Sequence, residues 1–115
     1  MYGDDPVQVY LHEMGKVPPL TRDQEMECAR HIRAGDEQAE YAEKDLIEAN
    51  LALVVSIAQK HPSDHIHILD MIIIGNNALM TAVRAFADSD AEDFSAFAAL
   101  YIERAIDHAV TTRNC

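Results

Sequence analysis

The chain has 115 residues and 49% hydrophobic content, enough for one domain with its own core and short for two, so a single helical domain over 1–115 is expected. Twenty acidic residues against nine basic ones give a formal net charge of −11, which repels a polyanion at long range and disfavours plain electrostatic capture of nucleic acid. The longest apolar runs fall short of the roughly 18 residues of a spanning helix, and the N-terminus MYGDDPVQVY lacks the cationic and apolar segments of a secretory signal, so a cytoplasmic protein without membrane attachment is expected.

Helix signals dominate from end to end, and no convincing alternating strand interrupts them. Asp5-Pro6 offers an N-cap and a first-turn proline to VQVYLHEM, where Val7, Tyr10, Leu11 and Met14 share one side before Gly15 ends the helix. Thr21 and Gln24 form a capping box for a second helix that carries Met26, Ala29 and Ile32 and stops at Gly35. From Asp36 to Lys60 the chain runs without a breaker, with Leu46, Ala49, Leu53 and Ile57 at helical spacing and Pro62 closing the run.

A fourth helix is predicted from about Ile68 to Phe86, with Leu69, Ile72, Leu79, Met80, Val83 and Phe86 as its core stripe. Its interior holds Gly75, Asn76 and Asn77, poor helix formers that suggest close packing or a side-chain contact rather than a break. Successive helical residues are about 100° apart, so Ile72, Ile73 and Ile74 spread over about 200° and one face cannot bury all three. After the acidic connector ADSDAED, Ser95 or Asp93 caps a fifth helix to about Thr112, with Phe97, Ala98, Tyr101, Ile102, Ala105, Ile106 and Ala109 inward. The fold class expected is an all-α, compact bundle of about five helices.

Chemistry-bearing clusters are few. His61, His65 and His67 lie around a proline in an expected loop that fixes no three imidazoles together, so a solvated connector is the better reading than a metal site. The run Asp88, Asp90, Glu92, Asp93 lacks the glycine and the bidentate glutamate of a calcium loop. Cys28 reads as a small buried residue, and Cys115 stands too far away in sequence, without a C-x-x-C pattern, to suggest a disulfide or zinc framework. With no phosphate loop, nucleophile elbow or plausible base, neither an enzyme nor a cofactor is expected, and a binding role is left.

Four segments, DPVQVYLHEMGKVPPLT (Asp5 to Thr21), EANLALVVSIAQK (Glu48 to Lys60), LDMIIIGNNALMTAVRAF (Leu69 to Phe86) and FSAFAALYIERAI (Phe94 to Ile106), carry a resemblance by their order and spacing. Together they resemble regions 1.2 and 2 of the bacterial sigma-70 family of RNA polymerase initiation factors, over nearly the whole chain. The resemblance does not include the family's −35-reading domain. It implies an all-α domain that binds the clamp helices of the polymerase β′ subunit and captures the melted −10 element. The two positions after the shared Ile72 are usually glutamine and glutamate in that family and help form the polymerase-binding surface. Here they are Ile73 and Ile74, while Asp70 and Asn76 match, so the implied polymerase- or partner-binding set is Asp70, Ile73, Ile74 and Asn76.

On the DNA side the resemblance thins. Where the family carries tyrosine, two arginines, an aromatic and a lysine before the Phe-Ser pair, this chain has Asp88, Ser89, Asp90, Glu92 and Asp93. Leu100 and Tyr101 replace paired tryptophans, Arg104 and Asp107 replace the −12 readers, and His12 stands where arginine is usual. The weak DNA-contact set is therefore Tyr10, Met14, Phe97, Tyr101 and Arg104, although aromatic residues at helical spacing more often serve a core. Three readings follow: a sigma-like domain that binds polymerase core with promoter −10 recognition weakened or lost; a sigma-derived regulatory or interaction module, a homodimer through Ile73 and Ile74 or a decoy, that does not bind DNA; or a piece of a longer divergent factor.

Overall fold

A computed structural model describes residues 6–61, 63 and 66–112. Among them are six helices and no strand: α1 (Pro6–Met14), α2 (Arg22–Ala34), α3 (Ala39–Ala49), α4 (Leu51–Gln59), α5 (Ile68–Ala87) and α6 (Phe94–Thr112). The all-α expectation is met. Asp5, Pro62, His65 and Cys115, invoked above as a cap, a stop, a metal candidate and a terminal thiol, lie outside the described residues.

The helix ends follow the chemistry of their residues. Thr21 Oγ1 accepts from the Gln24 N–H at 3.1 Å while Gln24 Oε1 accepts from the Thr21 N–H at 2.9 Å, which completes the capping box of α2. Gly35 ends α2 in the left-handed region at φ 63°, a conformation that glycine adopts at least cost. His67 caps α5 through Nδ1, which accepts from the Leu69 N–H at 3.1 Å. Asp93, one of the two expected caps of α6, accepts from the Ala96 N–H at 3.2 Å.

The expected third helix divides at Asn50. There the Asn50 N–H bonds to the Ile47 carbonyl at 3.1 Å, the backbone leaves the helical region, and the buried side chain takes over. Asn50 Nδ2 donates to the Leu46 carbonyl at 2.9 Å, and Oδ1 accepts from Ser95 Oγ at 3.1 Å, so the α3–α4 corner is tied to the first turn of α6.

Helix α5 runs through the middle of the bundle and contacts α2, α3, α4 and α6. At 20 residues it is long and apolar enough to cross a bilayer, which the run-by-run reading missed, yet a central core helix needs the same composition. Its buried residues are Met71, Ile72, Gly75, Leu79, Ala82, Val83, Phe86 and Ala87. Leu69 and Met80, assigned to the core stripe above, are instead exposed, because the stripe centres on Gly75, Leu79, Ala82 and Phe86 and leaves both on its flank. Met26 of α2 is likewise exposed, whereas the acidic Glu25 beside it is buried.

Gly75 is where the bundle is tightest. A methyl group there would stand 2.6 Å from Val54 Cγ1 and 3.4 Å from both Ile102 Cγ2 and Ile106 Cδ1, so α4 and α6 both close on α5 only because position 75 has no side chain. The close packing expected of this glycine is thus present.

Helix α2 braces the α5–α6 connector at both ends. Arg33 Nε donates to the Ala87 carbonyl at 2.6 Å, satisfying an orphan acceptor at the C-terminus of α5. Glu25 Oε1 accepts from the Phe94 N–H at 3.4 Å at the start of α6. Burial pushes the Glu25 carboxyl above its ordinary range, the Phe94 N–H pulls it back, and Asp93 adds to the rise while Arg22 opposes it.

Two predictions follow from this packing. Gly75→Ala gains about 1 kcal/mol of helix propensity but must displace Val54, so urea unfolding should show a net loss of about 1–3 kcal/mol; a gain would contradict the close approach. A raised Glu25 binds its proton more tightly folded than unfolded, so its contribution is full below the ordinary value of 4.5 and is lost as pH rises through the folded value. Glu25→Gln keeps the acceptor without the charge. Its stability relative to the native chain should therefore rise as pH increases from the ordinary value of 4.5 through the raised folded value in parallel urea titrations, and a flat difference would contradict the burial.

Candidate partner-docking face

The three isoleucines point three ways. Ile72 is buried, Ile74 is half-buried and packed against the core, and Ile73 stands 58% exposed. The expectation that Ile73 and Ile74 form one exposed face is therefore corrected: at about 100° per residue the core takes Ile72 on one side and the edge of Ile74 on the other. Only Ile73 is left facing outward.

Ile73 belongs to a stripe. Leu69, Ile73, Asn76 and Met80 follow at helical spacing, and Leu69, Ile73 and Met80 are exposed large apolar residues. Asp70 is exposed beside them. Helix α1 comes against this stripe, so that Pro6, Tyr10, Leu69, Ile72, Ile73 and Asn76 line a groove of about 340 Å³. Asn76 contributes an enclosed Oδ1 with no hydrogen-bond partner among the described residues, an arrangement that costs about 1–3 kcal/mol. The structure thus brings Tyr10, assigned above to DNA contact, together with Ile73 and Asn76. Met14 is half-buried on α1 and does not line the groove.

Leu69 and Met80 are the members that pattern reading missed. Their signal was present in the helical angle, since both fall within about 40° of Ile73. Counting apolar residues by spacing alone had enlisted them for the core.

The aromatic residues of α6 tell a different story. Phe94 is fully buried and meets Phe86 edge-on at 5.1 Å between ring centroids; Phe97 lies 5.6 Å from Phe86 and 5.3 Å from Tyr101. Phe97 and Tyr101 are half-buried and packed on the core, so each offers only part of a ring to a base. Arg104 is exposed in a hollow with His61, Glu103 and Asp107, whose two carboxylates reduce its attraction for phosphate. The connector leading into α6 exposes Asp88, Asp90, Glu92 and Asp93.

A further cavity, about 290 Å³, lies between α2 and α3 and includes Cys28, His31, Tyr41 and Asp45 in its lining. His31 Nδ1 lies 2.7 Å from Asp36 Oδ2, and that hydrogen bond holds the Asp36 carboxyl below its ordinary range. Burial pushes the Cys28 thiol up, away from a reactive thiolate, with Asp45, Glu25 and Glu27 adding to the rise. Among the described residues no group of three His, Cys, Asp or Glu stands close enough to hold a metal ion.

Residues 5–38 match the family model for Sigma-70 factor, region 1.2. The chain is 44% identical over 107 residues to the RNA polymerase sigma factor SigA of Lactococcus lactis subsp. cremoris, covering 93% of this chain and 29% of that protein. It is 43% identical over 107 residues to SigA of Clostridium acetobutylicum, covering 93% and 28%, and 38% identical over 110 residues to the sigma factor RpoS of Coxiella burnetii, covering 96% and 30%. The chain spans less than a third of the length of these curated relatives.

Exposure separates the two neighbouring isoleucines experimentally. Ile73→Gln should change unfolding stability by no more than about 0.5 kcal/mol, whereas Ile74→Gln should lose about 1–2 kcal/mol from its partly buried contacts. Equal losses would mean that Ile73 is core as well.

Proposed function

Since this chain belongs to the sigma-70 family of RNA polymerase sigma factors, we propose that it is a non-catalytic transcription initiation factor domain that docks on polymerase core through the outward stripe of α5. The β′ clamp helices are the surface it meets, and it acts in the cytoplasm where polymerase is. The observation that carries this reading is the solvent-facing run of Leu69, Ile73 and Met80 beside Asp70, on a helix whose opposite side is buried in the core. Unpartnered apolar side chains of this kind are what an interface covers. A hydrogen-bond donor on the docked partner would also relieve Asn76 Oδ1 once its amide turns toward the groove.

Promoter recognition is weakened or lost in this reading. Phe94 is fully buried and most of Phe97 and Tyr101 is committed to the core, and the preceding connector is acidic, so neither a stacking platform nor a phosphate-binding track is complete. A second reading, an interaction module that does not bind DNA and pairs with a protein or with itself, is favoured by the apolar Ile73 where the family's surface is polar.

Fluorescence titration of the labelled chain with polymerase core tests the proposal, using a β′ clamp-helix fragment as competitor. Saturable binding displaced by the fragment is expected, with Ile73→Asp weakening it by about tenfold or more. Failure to bind at about micromolar concentration, where weak specific complexes form, would contradict it. In the same assay single-stranded −10 DNA should bind no better than random sequence at low salt, and clear selectivity would overturn the loss of recognition.

A further inference from the structure

The outward side of α5 carries a second pattern, one that is complementary to itself. Asp70, Ile73, Asn77, Met80 and Arg84 follow in alternating steps of three and four residues. At about 100° per residue they fall within an arc of about 80°, on the side away from Gly75, Leu79 and Ala82. All five are exposed, Ile73 at 58%, Met80 at 47% and the Arg84 side chain at 75%. Steps of three and four keep such a line on one seam when two helices lie side by side.

The chemistry of the line is ordered about its middle. Asp70 stands seven residues before Asn77 and Arg84 seven after it, with the apolar Ile73 and Met80 between. Two copies of α5 laid antiparallel about an axis beside Asn77 would bring Asp70 of each to Arg84 of the other. Ile73 and Met80 would then share the centre with the Asn77 amides, which can donate to and accept from one another. A parallel pairing would set Asp70 against Asp70 and Arg84 against Arg84. Among the described residues Arg84 has only a long contact, 3.9 Å from Glu43 Oε1, and its side chain is 75% exposed, so its guanidinium is largely available.

We propose that the α5 face pairs with a second copy of this chain, two-fold and antiparallel, through Asp70–Arg84 ion pairs flanking Ile73 and Met80. The pairing stands on the α5 surface alone. Its consequence rests on the polymerase reading above: Ile73 and Met80 cannot face a second copy and a polymerase at once, so the paired form withholds the docking face and dissociation on dilution releases it. Two ion pairs and four apolar side chains make a small interface, and both chains carry the formal charge of −11, so the association is weak.

Sedimentation of the full chain at about 0.15 M salt, where the Debye length of about 8 Å confines the general repulsion, tests the pairing. A reversible dimer is expected with dissociation constants between about 1 and 100 µM. Asp70→Arg alone and Arg84→Asp alone should each weaken it about tenfold or more, by setting like charges opposite each other. Both substitutions together should restore it, and an equimolar mixture of the two single variants should form a heterodimer. Circular dichroism on each variant confirms the helical fold.

A native chain that stays monomeric to about 500 µM, about fivefold above the weakest dissociation constant expected, would overturn the proposal. So would single variants that dimerise as well as the native chain. Because no polymerase is present, either failure is separate from failure of the polymerase reading.

Discussion

Val54 of α4 packs into the space that glycine leaves at position 75, and this contact decides how α5 is rotated within the bundle. With Ile102 and Ile106 of α6 closing on the same spot, α5 can present only its Gly75–Leu79–Ala82 side to the interior. Everything outward follows from that setting. Ile72 goes in, Ile74 is caught at the edge, and Ile73 is turned to solvent together with Leu69 and Met80. A side chain at position 75 would change the rotation, and the exposed stripe would lose its definition along with the core.

The α5–α6 hairpin is held from outside as well. Helix α2 spans the connector and satisfies one orphan backbone group at each end of it, an acceptor through Arg33 and a donor through Glu25. Placing a carboxylate there opposes the favourable helix-end interaction with a desolvation penalty, which is why the Glu25 carboxyl is pushed up. The same brace fixes the acidic connector and the start of α6. What α6 offers beyond it is an aromatic row used largely to close the core, with Phe94, Phe97 and Tyr101 linked in ring-to-ring contacts through one another and Phe86 of α5. The two sides of the molecule therefore differ in kind: α5 leaves an apolar stripe uncovered, while the α6 aromatics have little exposed ring surface.

Helix existence and type were readable from caps and periodicity, because Thr21, Gly35 and Asp93 act locally and the chain neighbours alone determine their effect. The division at Asn50 was not readable, since it depends on Ser95, which lies 45 residues away. Spacing identified Gly75 as a packing position, though the identity of its neighbours required the fold. Spacing also misassigned Leu69 and Met80 to the core, because an apolar residue on the flank of a stripe has the right period and the wrong angle. Of the site, the run of isoleucines signalled that some apolar surface must be left over. Which isoleucine it was depended on the contacts of α4 and α6, and the approach of Tyr10 to Asn76 depended on where α1 docks.

Hydrogen exchange read by mass spectrometry, with and without polymerase core, reports on all helices at once and so tests the central claim that the outward face of α5 is the docking surface. Helical amides on a covered face exchange more slowly when a partner suppresses local opening. The account predicts added protection concentrated in residues 68–80 and in α1 beside the groove, with α6 unchanged. Protection confined to α6 around residues 97–104, or protection nowhere despite demonstrated binding, would contradict it.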